Sequence, residues 1–465
     1  MQELLNGVIC APASGKGGAI CVVRVSGSGC LSIVDKLVSF RKGDAASCQG
    51  FRVKFGVIPE LDEVLVSVFK SPHSYTGEDM AEISCHASPY IVSGILERLC
   101  TAGCRMAHAG EFTQRAFLNG KMDLAQAEAV ADVIASSTSA QHRVAMNQLR
   151  GGYSAELREL RKQLLELSAL MELELDFSEE DVEFADRTRL RALLDTACSH
   201  CRHLSDSFRT GNAIRNGVPV AIVGAPNSGK STLLNALLHD DRAIVSDIPG
   251  TTRDTVEETC VIDGILFRFI DTAGIRESSE KIEKMGIERT FRKISEAEIV
   301  LGVVDITETS EAIEDSLRTM VSKIDFKQQK MLVLVNKADK IVVNKNVNTI
   351  NSFVNSTDYK GFAIFILEIS AKCGLGLENL RSTLVEQAGI VSASGSLVTN
   401  VRHAAALREA ATSLAAVSDG LDHHIPSDLL AEDLRAALAS LGSITGEITT
   451  DEVLGEIFSK FCIGK

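Results

Sequence analysis

The centre of the chain reads Gly224-Ala225-Pro226-Asn227-Ser228-Gly229-Lys230-Ser231. An apolar run at 218–223 precedes this glycine-rich loop, and a helical pattern begins at Thr232. The order of strand, loop and helix is that of a phosphate-binding loop, in which backbone N–H groups surround a β-phosphate. Lys230 would neutralise charge on the β- and γ-phosphates, and the hydroxyl of Ser231 would bind Mg²⁺. The segment therefore predicts that the chain binds a nucleoside triphosphate.

Three further motifs, each after an apolar run, narrow the nucleotide to GTP. They are Asp271-Thr272-Ala273-Gly274, Asn336-Lys337-Ala338-Asp339 and Ser370-Ala371-Lys372. The Asp271 motif would reach Mg²⁺ through water and the γ-phosphate through the Gly274 amide. The carboxylate of Asp339 would accept hydrogen bonds from N1–H and the 2-amino group of guanine, which adenine cannot donate. The residues expected to contact GTP are Asn227, Ser228, Gly229, Lys230, Ser231, Thr232, Ser246, Thr251, Asp271, Thr272, Ala273, Gly274, Asn336, Lys337, Asp339, Ser370, Ala371 and Lys372.

The sequence leaves the mechanism of hydrolysis open. Thr251, in the expected first switch at 250–254, is the candidate that closes over Mg²⁺ in the GTP state. Ras-type switches carry a water-positioning glutamine just after Gly274, but this chain has Ile275 there, and spacing assigns no arginine finger. Within 276–283 a carboxylate could orient the water and a monovalent cation could replace the finger. An exposed helix start is the alternative for each acidic residue in that segment.

The fold class follows from how the patterns alternate along the chain. Residues 216–384 alternate strands and helices, which predicts a mostly parallel, doubly wound sheet. Residues 1–121 alternate short strands and turns around a helical stretch, which is typical of a compact α+β domain. Residues 123–212 and the segments 403–423 and 427–441 show helical periodicity. We therefore expect one helical domain that is interrupted by an inserted α/β domain.

Composition limits the function further. A chain of 465 residues with 45% hydrophobic and 24% charged residues is expected to form two or three globular domains, and it has no apolar run of transmembrane length. The start of the chain has no basic leader, so we expect a cytoplasmic protein without a membrane partner. Because the net charge is −14, binding of nucleic acid would need a local basic patch or a partner.

The 12 cysteines are scattered, which is typical of reduced thiols. The cysteines and histidines at 198–203 have the composition of a metal site. They lie within a helical pattern, however, and no second Cys/His pair is nearby in the sequence. Ordinary helix residues are therefore the favoured interpretation over structural zinc.

The motifs and their flanks resemble the MnmE (TrmE) family of tRNA-modification GTPases over the whole chain. Other GTPases share the nucleotide motifs but not the flanks. The flanking segments that carry the resemblance are Ser74-Tyr75-Thr76-Gly77-Glu78-Asp79, residues 110–121, Asp123-Leu124-Ala125-Gln126-Ala127-Glu128 and Phe461-Cys462-Ile463-Gly464-Lys465.

The resemblance implies four segments. Residues 1–121 would form a tetrahydrofolate-binding and dimerisation domain, 122–215 and 385–465 the two parts of a helical domain, and 216–384 an inserted Ras-like G domain. The residues that match folate-contacting positions, for a 5,10-methylene or 5-formyl derivative, are Arg24, Glu82, Lys121 and Lys465. Two or three cations could meet the glutamate carboxylates of folate, and Glu82 could accept from the pterin N–H groups. A surface ion pair is the structural alternative for these polar residues.

The resemblance also implies the ion sites and the catalytic residues. The positions that match K⁺ ligands are Asn227, Ser246, Ile248 and Thr251, and those for Mg²⁺ are Ser231, Thr252 and Asp271. Glu283 matches the water-positioning glutamate and acts with Lys230. Cys462 either takes an acid–base or nucleophilic role near the folate, since Lys465 would favour its thiolate, or it only packs.

The function implied by the resemblance is that of a homodimeric, K⁺-stimulated GTPase. With the FAD-dependent protein MnmG, as a heterotetramer, it would form a 5-carboxymethylaminomethyl or aminomethyl group on the wobble uridine of certain tRNAs, and the folate would supply the methylene carbon. A regulatory or ribosome-assembly GTPase without modification chemistry is one alternative. A folate-dependent one-carbon transferase with a merely regulatory G domain is another.

Overall fold

The computed structural model describes residues 7–15, 17–176, 187–238, 257–271, 295–340, 345–356, 362–390, 396–423, 425–459, 461–462 and 464. The chain forms two compact units. The first comprises Met1–Ile134, Met146–Ser199 and Glu409–Lys465, and the second comprises Ala135–Ala145 and His200–Arg408. Among the described helices, none combines the length and the apolar composition that a membrane crossing needs. The finer domain boundaries that the sequence suggests remain predictions.

The first unit contains a seven-stranded sheet. Its strands are β1 (Val8–Pro12), β2 (Ile20–Ser26), β3 (Ser39–Phe40), β4 (Arg52–Ile58), β5 (Asp62–Phe69), β6 (Met80–His86) and β7 (Cys104–Met106). They are arranged in the order β3-β4-β5-β6-β2-β1-β7, and all neighbours pair antiparallel except β1 and β7. This arrangement confirms the predicted α+β character of the N-terminal region.

The two faces of this sheet differ in burial, because successive side chains of a strand point to opposite faces. Alternate residues such as Val23, Val66 and Ile83 form a core with the helices α1 (Cys30–Leu37) and α2 (Pro89–Thr101). The other face carries the cross-strand pair Arg24 and Glu82 and the exposed side chains of its neighbours. One face is therefore covered by α1 and α2, and the opposite face bears Arg24 and Glu82, two of the four predicted folate residues.

The helical region is broken into shorter helices than the sequence pattern suggests. After α3 (Glu111–Leu118) come α4 (Leu124–Ala135), α5 (Ser139–Leu149), α6 (Gly152–Asp176), α7 (Arg187–Asp206) and α8 (Phe208–Asn216). Thr138 and Gln141 cap the start of α5: Gln141 N donates to Thr138 Oγ1 (3.2 Å), and Gln141 Oε1 accepts from Thr138 N (3.0 Å). Gly151 has a φ of 82° at the break before α6. Helices therefore predominate, as predicted, and local caps interrupt them.

The second unit contains a six-stranded sheet. Its strands are β8 (Val218–Gly224), β9 (Glu257–Ile262), β10 (Ile265–Asp271), β11 (Ile299–Asp305), β12 (Lys330–Asn336) and β13 (Ile364–Glu368). They are arranged in the order β13-β12-β11-β8-β10-β9, and only β9 and β10 pair antiparallel. The carboxyl ends of five parallel strands therefore lie along one edge of the sheet.

Helices cover both faces of this sheet, which confirms the doubly wound class. One core contains side chains of α8, α9 (Lys230–Leu238) and α12 (Leu377–Ala388), and the other contains side chains of α10 (Ser310–Val321) and α11 (Lys345–Val354). The remaining helices within the described residues are α13 (Val401–Asp422), α14 (Ser427–Thr445) and α15 (Asp451–Ser459). In the first unit α14 packs along α6.

The two chain segments that flank the six-stranded sheet contact each other within the second unit. The hydroxyl of Ser207 accepts a hydrogen bond from the N–H of Val398 at 3.1 Å. A Cβ on Gly211 in α8 would lie 2.2 Å from the carbonyl oxygen of Val398. The small size of Gly211 therefore allows the returning segment to pack on the helix that leads into the sheet.

We expect Gly211→Ala to destabilise the second unit. Overpacking costs about 1–3 kcal/mol, which exceeds the roughly 1 kcal/mol that alanine gains over glycine within a helix. Urea unfolding followed by circular dichroism measures the change. Gly455→Ala in α15 is the control, because nothing lies within 4 Å of its added Cβ, and it should leave the midpoint unchanged or raise it. An unchanged midpoint for Gly211→Ala would contradict the packing described above.

Candidate functional site

The phosphate loop lies between β8 and α9 and has the backbone that the glycines predict. Gly229 has a φ of 103°, and a Cβ there would lie 2.2 Å from Nδ2 of Asn336. Asn227 also has a positive φ, 61°, and its side chain is exposed. The loop therefore needs glycine where another loop approaches closely, and it presents Asn227 on its outer surface.

The ammonium group of Lys230 is held over the phosphate loop. Its Nζ donates to the carbonyl oxygens of Gly224 at 3.0 Å and Ala225 at 2.7 Å. Ser231 and Thr232 follow in the first turn of α9 with exposed side chains. A cation, a helix N-terminus and free hydroxyls thus lie together, which is the composition of a site for phosphate and Mg²⁺.

Asn336 connects three loops at the carboxyl edge of the sheet. Its Nδ2 donates to the carbonyl oxygen of Ser228 at 2.8 Å, and its Oδ1 accepts from the N–H of Ala371 at 3.0 Å. The residue is 3% exposed. The sequence predicted Asn336 as a GTP contact, and the structure gives it the additional task of joining the phosphate loop to the base pocket.

Asp339 and Ser370 meet in the predicted base pocket. The hydroxyl of Ser370 donates to Oδ1 of Asp339 at 2.6 Å, and the N–H of Ala338 donates to the carbonyl oxygen of Ile369 at 3.0 Å. The hydrogen bond from Ser370, helped by Lys340 and Lys372, lowers the pKa of Asp339. The exposed carboxylate is therefore ionised at neutral pH and accepts hydrogen bonds, as recognition of guanine requires.

Asp305, at the end of β11, was not predicted as a site residue. It forms an ion pair with Lys337 of the base-recognition motif. Its position in the sequence could have identified it, because it is the last residue of a buried strand, at the same sheet edge as Asp271 and Asn336.

A second polar site lies on the sheet of the first unit. Nε and Nη2 of Arg24 donate to Oε1 of Glu82 at 3.0 and 2.8 Å, and Nη1 donates to the carbonyl oxygen of Gly464 at 3.3 Å. The guanidinium lies over the rings of Tyr75 and Phe112, with distances to the ring centroids of 5.1 and 5.5 Å. The structure therefore unites two predicted folate residues with the C-terminal segment.

Lys121 and Cys462 each form a hydrogen bond with a loop of the first unit. Nζ of Lys121 donates to the carbonyl oxygen of Pro72 at 2.9 Å. Cys462 is exposed, and its carbonyl oxygen accepts from the N–H of Gly110 at 3.4 Å. The backbone of Cys462 is thus bound to the residue that precedes α3, and its thiol is accessible.

A buried ion network supports these loops. Arg115, which is 1% exposed, pairs with Glu78 and with Glu111, each at 3.1 Å, and Arg105 pairs with Glu111 at 2.6 Å. Burial raises the pKa of Glu111, but hydrogen bonds from Arg105 and from the N–H of His108, together with the charge of Arg115, outweigh it and lower the pKa. The network therefore holds the loop before β6 against α3.

Several predicted site residues lie outside the described residues. They are Ser246, Ile248, Thr251, Thr252, Thr272, Ala273, Gly274, Glu283 and Lys465. The backbone of Asp271 is described, and it pairs with Ile222 of β8 at the same sheet edge.

The cysteine-rich segment 198–203 lies within α7. Cys198 and Cys201 are buried, and the thiol of Cys198 donates to the carbonyl oxygen of Ala411 at 3.7 Å. Within the described part of the chain, no group of three or more His, Cys, Asp or Glu residues could hold a metal ion.

Comparisons with known proteins cover almost the whole chain. Residues 8–121 match the family described as "GTP-binding protein TrmE N-terminus", and residues 124–462 match the family described as "MnmE helical domain". A tRNA modification GTPase MnmE from Bacteroides thetaiotaomicron is 50% identical over 465 residues, which cover 98% of this chain and 99% of the relative. The protein of the same name from Christiangramia forsetii is 48% identical, over 99% of this chain and 100% of the relative.

Among solved structures, Era from Aquifex aeolicus bound to GDP and AlF4⁻ is 29% identical. The alignment covers 42% of this chain and 66% of Era, with a TM-score of 0.30.

Asp339→Asn should change the base preference of the second unit. Asparagine has one acceptor oxygen and an NH2 donor where aspartate has two acceptor oxygens. Its side chain therefore suits the 2-carbonyl group of xanthine better than the 2-amino group of guanine. We expect GDP affinity to fall about 100-fold and affinity for xanthosine diphosphate to rise, measured by competition with a fluorescent nucleotide. Asp325→Asn, a carboxylate that accepts from Lys327 N, is the control. An unchanged preference for GDP would remove Asp339 from base recognition.

Proposed function

This chain belongs to the MnmE (TrmE) family of tRNA modification GTPases, and we propose from that membership how its two polar sites divide the work. The second unit is a GTP hydrolase. The first unit binds a tetrahydrofolate derivative, 5,10-methylene or 5-formyl, whose carbon enters the wobble uridine of certain tRNAs. The product is a 5-carboxymethylaminomethyl or aminomethyl group, formed together with an FAD-dependent MnmG partner in the cytoplasm, where tRNA and GTP occur.

The observation that carries the GTPase assignment is the link made by Asn336. It joins the loop that bears Lys230 to the loop that bears Ser370, so phosphate recognition and base recognition form one rigid surface. Such preorganised donors and acceptors lower the cost of binding a charged ligand.

The ion sites are proposed from the oxygen groups around the phosphate loop. Ser231, Thr252 and Asp271 would hold Mg²⁺, which when bound neutralises charge on the β- and γ-phosphates. The exposed hydroxyl of Ser231 and the end of β10 at the same sheet edge fit this assignment. Asn227, Ser246, Ile248 and Thr251 would hold K⁺ at the place of an arginine finger. The exposed amide of Asn227 fits the hard oxygen donors that this cation prefers.

The Arg24 site fits the pterin end of a folate. Of the two carboxylate oxygens of Glu82, Arg24 bonds Oε1 and not Oε2 among the described contacts. The Glu82 side chain is 26% exposed. Oε2 of Glu82 is therefore available to accept from pterin N–H groups, and Arg24 orients it. Lys121 and Lys465 would meet the glutamate carboxylates, and Cys462 would lie beside the reacting carbon.

The exposed apolar residues on the Arg24 face of the first unit's sheet support a homodimer. Ile20, Val53 and Leu65 are 65%, 64% and 49% exposed, and the strand register places them on the same face as Arg24. Apolar side chains of this kind suit a two-fold interface, in which the same surface of each copy is buried against the other. The net charge of −14 suits an arrangement in which the MnmG partner supplies most of the tRNA-binding surface.

Arg24→Ala tests whether folate binding belongs to the first unit and GTP binding to the second. The variant should lose folate binding and wobble-uridine modification but retain GTP binding, because Arg24 lies in the first unit and the phosphate loop in the second. Isothermal titration with 5-formyltetrahydrofolate and nucleoside analysis of tRNA from complemented deletion cells measure both effects. Arg98→Ala on the helix-covered face, where Arg98 donates to Pro59 O, should behave as the wild type. Full modification by Arg24→Ala, with folate binding unchanged, would remove Arg24 from the folate site.

Glu283→Ala tests water positioning, since Ile275 cannot orient water as a glutamine does. GTP affinity should be retained while K⁺-stimulated turnover falls about 100-fold or more, in the range of general-base and water-positioning groups. Phosphate release in KCl and in NaCl measures turnover, and Glu280→Ala is the control in the same segment. Equal stimulation by Na⁺ would contradict the K⁺ site at Asn227, and unchanged turnover would remove Glu283.

A further inference from the structure

Lys337 is held in an unusual conformation beside the base pocket. It follows β12 with a φ of 63°, in the left-handed region that residues with a Cβ rarely adopt. Its neighbours Asn336 and Asp339 are bound to the phosphate loop and to Ser370 respectively. Its side chain is 29% exposed and reaches across to Asp305 on β11. Lys337 thus stands in the chain between a residue bound to the phosphate loop and a residue bound to Ser370.

Asp305 uses both of its carboxylate oxygens. Oδ1 accepts from the N–H of Thr307 at 3.0 Å and from its hydroxyl at 2.7 Å, and Oδ2 pairs with Nζ of Lys337. The Asp305 side chain is only 8% exposed. Thr307 therefore fixes the orientation of the carboxylate, and the carboxylate in turn fixes the end of the lysine side chain.

Asp305 is ionised at neutral pH. Burial raises the pKa of Asp305, but the hydrogen bonds from Lys337 and Thr307 and the lysine charge outweigh it, so the pKa lies below its usual value. Such a carboxylate is ionised at every pH above its usual range and loses its charge only as the pH falls through the lowered pKa. The contact therefore persists throughout the physiological range.

We propose that Asp305 is a positioning residue for guanine nucleotides, which acts by holding Lys337 against the base. A free lysine side chain samples many rotamers, and ordering it on binding costs free energy. Asp305 orders it before the nucleotide arrives, so that its stem is already in place to cover the purine ring. The main consequence is slower release of the bound nucleotide. The inference needs only nucleotide binding by the second unit, so it can be tested without folate or tRNA.

The test is the release rate of a fluorescent GDP analogue from the full chain, chased with excess GDP. Asp305→Asn keeps the shape and the hydrogen bonds to Thr307 but removes the charge, and it should release nucleotide about tenfold faster. Asp305→Glu restores the carboxylate and should recover part of the slow release. In the wild type the rate should be constant between about pH 6 and pH 8, because the carboxylate stays ionised there.

Glu298→Gln is the matched control. Glu298 precedes β11 at the opposite end of the same strand and pairs with Arg209 at 3.0 Å. Its loss removes an ion pair from the same element, yet it should leave the release rate unchanged. Urea midpoints of the variants separate a loss of stability from a loss of nucleotide retention.

A double-mutant cycle shows whether Asp305 acts through Lys337. Lys337→Ala should speed release, and adding Asp305→Asn to it should change the rate less than twofold, because the partner is already absent. Release at the wild-type rate from Asp305→Asn would overturn the proposal. So would a full tenfold effect of Asp305→Asn in the Lys337→Ala background, which would indicate that the carboxylate only supports the fold.

Discussion

The nucleotide site depends on the side-chain amide of Asn336. Its Nδ2 donates to Ser228 O and its Oδ1 accepts from Ala371 N, and both partners belong to other loops. Ser228 is 108 residues from Asn336 in the sequence. The parallel strands bring these loops to one sheet edge, but parallel strands alone do not set the distance between loops. The buried amide sets it, because a side chain that left either atom unpaired would pay the cost of a buried unsatisfied group. Gly229 completes the arrangement by leaving room for the amide.

Charge in this site is organised before any ligand binds. Lys230 is held by carbonyl oxygens of its own loop, Asp339 by the hydroxyl of Ser370, and Asp305 and Lys337 by each other. Each group thus has partners in the folded chain and needs little reorganisation to meet a phosphate or a base. This is the physical basis of electrostatic preorganisation, in which the protein orders polar groups during folding and not during binding.

The sheet of the first unit is covered along one face by α1 and α2, whereas Phe112 of α3 covers part of the other face, at Ile9 and Ala11. The face covered by α1 and α2 is apolar, and the other face places Arg24 opposite Glu82 by strand register. The buried pairs of Arg115 with Glu78 and Glu111 hold the neighbouring loop and α3 in place. The C-terminal segment closes onto this surface through Gly464, where an added Cβ would lie 2.0 Å from Pro12 O. Polar groups from distant parts of the chain are thereby brought together.

The sequence by itself determined the fold class and the GTPase class, and it predicts the nucleotide residues, because each motif is short and follows a strand whose apolar run is visible. A contiguous loop such as residues 224–231 carries its conformation in its own glycines. Tertiary structure alone decided the pairing of Asp305 with Lys337, the bond from Arg24 to Gly464 and the breaks between α4 and α8. Arg24 and Gly464 are 440 residues apart, and no local pattern encodes such a contact. It exists because packing of the sheets and helices brings distant groups within hydrogen-bond reach, where burial then requires each polar atom to find a partner.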